Sequence, residues 1–372
     1  MATPTFPVIR IEGPPRERGR QYGRLAAERI AASLALYQGA WAGSGGLDRA
    51  QVLERARAFI PGIEARFPQQ MEELRGMAEG AERLVEELVA LNARTELLYG
   101  SAGGAGAATE GCTAAAILPR KPGDPVLIGQ NWDWKPDSRE LAILLQVHPD
   151  CGPACMTFVE AGMMARNGMN AAGIGLCGNF LNAAGDFSRA GVPIPFVRRA
   201  ILASASLPEA VGQVLNAPRA FSSNHLLAHR DGEAIDLEAT PAQVFSVFPQ
   251  DGLLVHANHF QAGAGHVVDT GVARFPDSLF RDRRVRAALA ATRGRLNATH
   301  LQRALRDHFG HPYGVCRHRA VGADGNELET VASVVMDLSA GTMAVAHGPV
   351  CENGYTVYAP FAPVAAGAAV SG

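Results

Sequence analysis

One stretch constrains the fold more than any other: SAGGAGAATEG, residues 101–111, built of Ser, Gly, Ala, Thr and a single Glu. It has too little apolar bulk to pack and too much glycine to hold a helix, so it reads as a mobile linker. Before it, from about Arg16 to Tyr99, apolar residues recur at three- and four-residue spacing, as in Gln51–Phe59 and Glu72–Tyr99, which predicts helices. After it come short apolar runs bounded by turn residues, at 113–118, 126–134, 141–148, 154–161, 173–177, 224–230, 233–239, 244–248 and 252–258, each predicted as a strand. Helical spacing returns at Phe196–Ser204, Leu207–Leu215, Phe280–Thr292 and Thr299–His308, and VASVVMDL with MAVAHG predicts a hairpin turning at Ser339–Thr342. Runs of strands alternating with runs of helices, without strict one-to-one rotation, favour an α+β layered body. The linker sets a chain-level boundary between a helical front segment, 1–111, and a strand-rich body, 112–372.

Charge narrows the partners. With 34 basic against 36 acidic side chains the net charge is −2, so the chain lacks the basic surface that nucleic acid requires, and a small molecule is the more natural partner. The opening MATPTFPVIRIEGPPRERGRQYG has no apolar run suited to export, and no stretch reaches the roughly 18 to 20 apolar residues of a spanning helix. The expectation is a cytoplasmic protein without membrane attachment. Six cysteines without CxxC spacing indicate neither a disulfide scaffold nor a zinc cage, and no metal or cofactor is expected.

The chemistry centres on the order linker, Glu110-Gly111-Cys112-Thr113, strand. A bare Gly-Cys dipeptide more often marks a buried cysteine entering a strand. Here, however, a thiolate following a flexible linker can attack the carbonyl of the residue before it, and water can hydrolyse the resulting thioester to free a chain that begins at Cys112. Glycine at 111 leaves that carbonyl unhindered. The new α-amine, with an ordinary pKa of about 7.7 to 8.0, can then serve as general base for its own thiol, so no histidine is needed.

EGCTAAAILPRKPGDPVLIGQNWDW (110–134) resembles the segment that opens the catalytic chain of acyl-coenzyme A:6-aminopenicillanate acyltransferases, a family of self-processing N-terminal nucleophile (Ntn) hydrolases. GPPRERGRQYG (13–23) and LNARTEL (91–97) resemble that family's front chain, and ARNGMNAAGIGLCGNFL (165–181), HANH (256–259) and TVASVVMDL (330–338) resemble its later blocks, in the same order. The resemblance implies a four-layer αββα sandwich with a helical N-terminal segment. It also implies self-cleavage between Gly111 and Cys112, and a cleaved front chain that stays as heterodimer partner; a further homo-oligomer is compatible with it. Cys112 falls on the nucleophile, Asp133 on a strand carboxylate that orients the new amine, and Asn258 on a residue whose side-chain NH2 faces the oxyanion. Outside the resemblance, Asp133 could equally cap a turn and Asn258 could be a turn residue. Trp132, Trp134, His256 and His259 are expected near the substrate pocket.

One departure stands out. The acyltransferases proper carry a Ser-Arg pair a few residues before the block matched by TVASVVMDL, where this chain has Asn326 and Glu327, which counts against penicillin acylation as the task. The leading expectation is hydrolysis of a small amide through a Cys112 acyl-enzyme, with acyl transfer from a thioester to an amine as the alternative. Two further readings stay open: an unprocessed hydrolase pairing Cys112 with a histidine such as His259, and a binding protein whose cysteine is inert.

Three other patterns carry little. Gly173–Gly178 matches GxGxxG, but no helix opens after it and no acidic residue follows at the distance a dinucleotide site needs, so close backbone packing explains it better. His225 and His229, four apart on a strand, stand roughly 13 Å from each other and cannot share an ion. FRDRRVR (280–286) is expected as a solvated helix face, with recognition of a substrate carboxylate as the lesser reading.

Overall fold

The computed structural model describes residues 4–43, 46–100, 111–321 and 327–361. The linker therefore lies outside the described residues apart from Gly111, and so does Asn326. The front segment forms β1 (Val8–Gly13), α1 (Pro15–Leu25), α2 (Ala27–Gly43), α3 (Arg49–Arg66), α4 (Pro68–Gly80), α5 (Val85–Asn92) and α6 (Arg94–Tyr99). It is not wholly helical, as the spacing predicted. In VIRIEG only Ile9 and Ile11 are buried, a two-residue alternation, and the strand pairs in parallel with Leu144–Pro149 of the body.

The body runs β2 (Gly111–Ile117), β3 (Leu127–Trp134), β4 (Ala142–Pro149), β5 (Cys155–Glu160), β6 (Asn167–Asn170), β7 (Ile174–Cys177), α7 (Ile194–Ala203), α8 (Leu207–Leu215), β8 (Ser223–His229), β9 (Glu233–Ala239), β10 (Val244–Val247) and β11 (Leu253–His256). It ends with α9 (Ser278–Ala290), α10 (Ala298–Ala304), β12 (Ala320–Val321), β13 (Glu327–Asp337), β14 (Thr342–His347) and β15 (Thr356–Tyr358). One sheet has the order β1-β4-β5-β6-β7-β8-β9-β10; the other has β11-β2-β3-β13-β14-β15, with β12 also pairing β13.

Strand alternation turns these two sheets into four layers. On β2, Cys112, Ala114 and Ala116 face the core shared with the first sheet, while Ala115 and Ile117 join Val285, Leu289 and Leu301 of α9 and α10 in a second core. On the far side, α7 packs on β6 and β7, and α8 on β8 and β9. The result is the expected α+β, αββα arrangement.

Glycines permit the closest approaches. A Cβ on Gly19 of α1 would fall 2.0 Å from the Glu73 carbonyl oxygen of α4, and one on Gly76 would fall 2.0 Å from that of Arg16, so these helices cross backbone to backbone. The GxGxxG stretch is β7, an antiparallel strand between β6 and β8. A Cβ on Gly175 would press within 3.0 Å of Ile128 and Leu338 across the sheets, which accounts for the glycine without a nucleotide. Of the two strand histidines, His225 meets the Ser223 hydroxyl and His229 the Ala172 carbonyl. Among the described residues no helix is long and apolar enough to cross a membrane.

Candidate active site

Cross-strand register assembles the site. Cys112 pairs with Trp132 and Gly111 with Asp133 across β2 and β3. On the other flank, His256 of β11 pairs with Ala114, and continuing that register two residues brings Asn258 opposite Cys112. All three residues implied by the resemblance thus surround one peptide bond. The Cys112 N–H donates to Asn258 Oδ1 at 2.8 Å. Asp133 sits so close to Gly111 that a Cβ there would lie 2.7 Å from its Oδ2 and 3.0 Å from its Cβ. With Asp133 in place, glycine is therefore the residue that fits at 111, a steric reason distinct from the unhindered carbonyl.

Asn258 is oriented by its partners. Arg281 Nη2 donates to the same Oδ1 at 2.8 Å, and neither a guanidinium nor a backbone N–H can accept, so oxygen must face Cys112. The Asn258 NH2 donates instead to the Phe180 carbonyl at 2.9 Å. The amide thus offers Cys112 an acceptor, and its NH2 donates to a different strand connection.

Three arginines complete the surroundings, none of them singled out in the sequence as a site residue. Arg281, on α9, donates to the Cys112 carbonyl at 2.5 Å and to the Thr113 hydroxyl at 2.9 Å, and its Nε pairs with Asp277 at 2.8 Å. The reading of FRDRRVR as a solvated face holds for Arg283 and Arg284, which are exposed, and is corrected at Arg281, which is only 2% exposed. The signal was available: residues 281, 285 and 289 share the inward stripe of α9, and an arginine in an apolar stripe marks a buried charge with partners. Arg317 Nη2 also binds Asp277, at 2.6 Å, while its Nε reaches Asp133 Oδ2 at 3.4 Å. The Thr330 hydroxyl donates to Asp133 Oδ1 at 2.7 Å. Arg166, stacked 4.1 Å over Trp132, donates from Nη2 to Cys112 Sγ at 3.6 Å.

The four residues expected near a pocket have these surroundings. Trp132 is the buried platform under Arg166. Trp134 donates to the Tyr37 hydroxyl at 2.9 Å beneath Arg94, anchoring the front helices to β3. His256 is buried with Nε2 2.8 Å from Glu238 and Nδ1 2.9 Å from the Ala257 carbonyl, so both nitrogens donate and neither is left for a substrate. Burial opposes its charge, but Asp236 and Glu238 outweigh that and lift its pKa to about 9. His259 Nδ1 lies 2.8 Å from the Ser278 hydroxyl, and burial lowers its pKa.

Arg166 also borders a small cavity of ≈ 30 Å³, lined by Phe180, Glu96 and Phe221 among others, with room for little more than a water. Glu96 also borders a cleft of ≈ 770 Å³ with apolar walls including Phe59, Leu97, Phe187 and Val192. Burial pushes the Glu96 carboxyl up to about 8. Well apart in the sequence from Cys112, His308, Cys316, His318 and Cys351 bring four ligand atoms within 4.8 Å of one another. The expectation of no zinc cage rested on spacing along the chain, which cannot detect ligands gathered from separate loops.

Comparison with known proteins identifies the family. Residues 120–349, more than half the chain, match the model of the family described as acyl-coenzyme A:6-aminopenicillanic acid acyl-transferase. That stretch contains Asp133, Asn258, Arg281 and Arg317 and begins just after Cys112. The chain is 28% identical over 330 residues, 88% of its own length and 89% of the relative's, to the acyl-coenzyme A:6-aminopenicillanic-acid-acyltransferase 40 kDa form of Emericella nidulans. Among solved structures, a variant of conjugated bile acid hydrolase from Clostridium perfringens aligns with a TM-score of 0.42 at 14% identity, over 66% of this chain and 96% of that one. Penicillin V acylase from Agrobacterium tumefaciens aligns with a TM-score of 0.41 at 14% identity, over 64% of this chain and 83% of that one.

Proposed function

The chain belongs to the acyl-coenzyme A:6-aminopenicillanic acid acyl-transferase family, and on that premise we propose that it is a self-processing cysteine enzyme that cleaves the amide bond of a small N-acyl or peptide-like substrate. The observation that carries this reading is the enclosure of the Gly111–Cys112 bond by Asp133, Asn258, Arg281 and Arg166.

In the first reaction Cys112 Sγ attacks the Gly111 carbonyl carbon. The C–N bond breaks, the nitrogen takes a proton and becomes the α-amine of Cys112, and water hydrolyses the thioester to a Gly111 carboxylate and a free thiol. Asn258 Oδ1, already bound to that nitrogen, keeps the amine in place. In the second reaction the α-amine accepts the thiol proton as sulfur attacks a substrate carbonyl, then returns it to the departing amine. Water releases the acyl group. One of the two hydrogens of the Asn258 NH2 is held by the Phe180 carbonyl, so at most the other can reach an oxyanion, and holding the amine is the role its present contacts support.

A second reading, acyl transfer to an amine acceptor, draws support from the activity for which the family and the Emericella relative are named. Both readings share the acyl-enzyme. The test is to offer purified protein N-acyl amides and acyl thioesters, with and without added amine, and to weigh the quenched chain. A single acyl adduct on Cys112, resolved to free acid or to the new amide, supports the reading; turnover without an adduct on Cys112, and undiminished in Cys112→Ala, removes it.

A further inference from the structure

We propose that His308, Cys316, His318 and Cys351 form a structural zinc site, remote from the reacting atoms but tied to the loop that carries Arg317. His308 follows α10, Cys316 and His318 flank Arg317 in the loop before β12, and Cys351 comes from the loop between β14 and β15. His318 Nε2 lies 3.2 Å from His308 Nε2 and 3.3 Å from Cys351 Sγ, and all four ligand atoms fall within 4.8 Å of one another.

These contacts are hard to satisfy without an ion. An imidazole nitrogen has a single in-plane direction, a lone pair or an N–H, and it cannot point at two partners at once. One cation among the donors serves all of them together. Ligands about 2.0 to 2.3 Å from a tetrahedral ion stand roughly 3.3 to 3.8 Å apart, so the two short contacts are already at ligand spacing. Two thiolates and two imidazoles select zinc over magnesium or calcium, which prefer oxygen. Four protein donors fill a tetrahedron and leave no open position for catalysis, which marks the site as structural.

The surroundings are built for it. The Cys316 N–H donates to Asp307 O at 3.0 Å and the His318 N–H to Pro312 O at 2.9 Å, folding the loop so that its donors converge. Arg306 donates to the Asn353 carbonyl at 3.0 Å, stitching that loop to the one bearing Cys351. His318 Nδ1, on the far side of its ring, lies 3.9 Å from Glu352, in the outer position where a carboxylate steadies a ligating histidine. Because Arg317 stands between two ligands, the ion would fix the backbone from which its side chain reaches Asp133 and Asp277.

The experiment measures zinc directly and does not depend on the reaction. Full-length protein is purified under reducing conditions, without chelator, from zinc-supplemented culture, and metal per chain is determined by elemental mass spectrometry. Wild type and Cys151→Ser, which alters an exposed cysteine outside the cluster, are expected to hold about one zinc per chain, and His308→Ala/Cys351→Ser less than about a tenth of that. Cobalt(II) in wild type should show a thiolate-to-cobalt charge-transfer band with tetrahedral d–d bands, which decides the matter should the double variant not fold. Wild type without zinc, a Cys316–Cys351 disulfide formed under these conditions, zinc undiminished in the double variant, or cobalt spectra lacking the charge-transfer band would each overturn the assignment.

Discussion

The Cys112 N–H donates to Asn258 Oδ1 at 2.8 Å, so the atom that the proposed self-cleavage would turn into an amine already has a fixed partner. Replacing Asn258 by Leu keeps the volume and removes the acceptor, leaving that N–H and Arg281 Nη2 without it. Such losses amount to about 1–3 kcal/mol, roughly a five- to 150-fold slowing of self-cleavage where the loss falls on the barrier. Following intact chain by gel after a synthesis pulse measures it. Processing at the wild-type rate in Asn258→Leu would remove Asn258 from the site.

Gly111 should tolerate no side chain. Gly111→Ala puts a methyl 2.7 Å from Asp133 Oδ2 and 3.0 Å from its Cβ, which displaces either the carboxylate or the scissile carbonyl. The expected outcome is protein that folds but accumulates uncut, with Asp133→Gly/Gly111→Ala relieved of the clash. Mass spectra of the two variants purified in parallel check it.

Helix crossing gives a prediction about stability alone. Gly19→Ala or Gly76→Ala forces α1 and α4 apart, since each new methyl meets a carbonyl oxygen at 2.0 Å, and overpacking of this kind costs about 1–3 kcal/mol or more. Gly39→Ala, in α2 with nothing within 4 Å of the added Cβ, should instead stabilise by about 0.5–1 kcal/mol. Urea midpoints of the three variants should fall on opposite sides of wild type.

His256 gives a pH dependence with a definite sign. Its folded pKa, about 9, lies above the ordinary value of 6.5, so its pairing with Glu238 and Asp236 contributes fully below about 6.5 and is lost as pH rises through 9. Denaturant melts should therefore show stability declining from pH 7 to 10. The decline should be shallower in Glu238→Gln, which removes the carboxylate 2.8 Å from Nε2.

The layered fold and the residues that meet around Cys112 were legible because their signals are local. Linker composition, short apolar runs bounded by turn residues at β2 and β3, and the blocks around Cys112, Asp133 and Asn258 each lie within a short window. Arg166, Arg281 and Arg317 were not singled out, because each resembles a surface charge until the fold brings it beneath the surface. Of the three, Arg281 left a trace, its place in the stripe with Val285 and Leu289. Arg317 left none, since its partners Asp277 and Asp133 come from elements far away in the sequence. The departure expected at Asn326 and Glu327 needs the same care, because an arginine does reach Asp133, from a position upstream of both. β1 was missed for another reason: six residues of alternation were passed over beside a long helical front.

The most direct test of the central claim is the intact mass of purified wild type beside Cys112→Ala. Self-processing at Gly111–Cys112 gives wild type as two chains, one beginning at Met1 and one at Cys112, and the variant as a single species of 39.2 kDa. A wild-type protein that stays a single 39.2 kDa chain, or a variant that is still cut after Gly111, would contradict it.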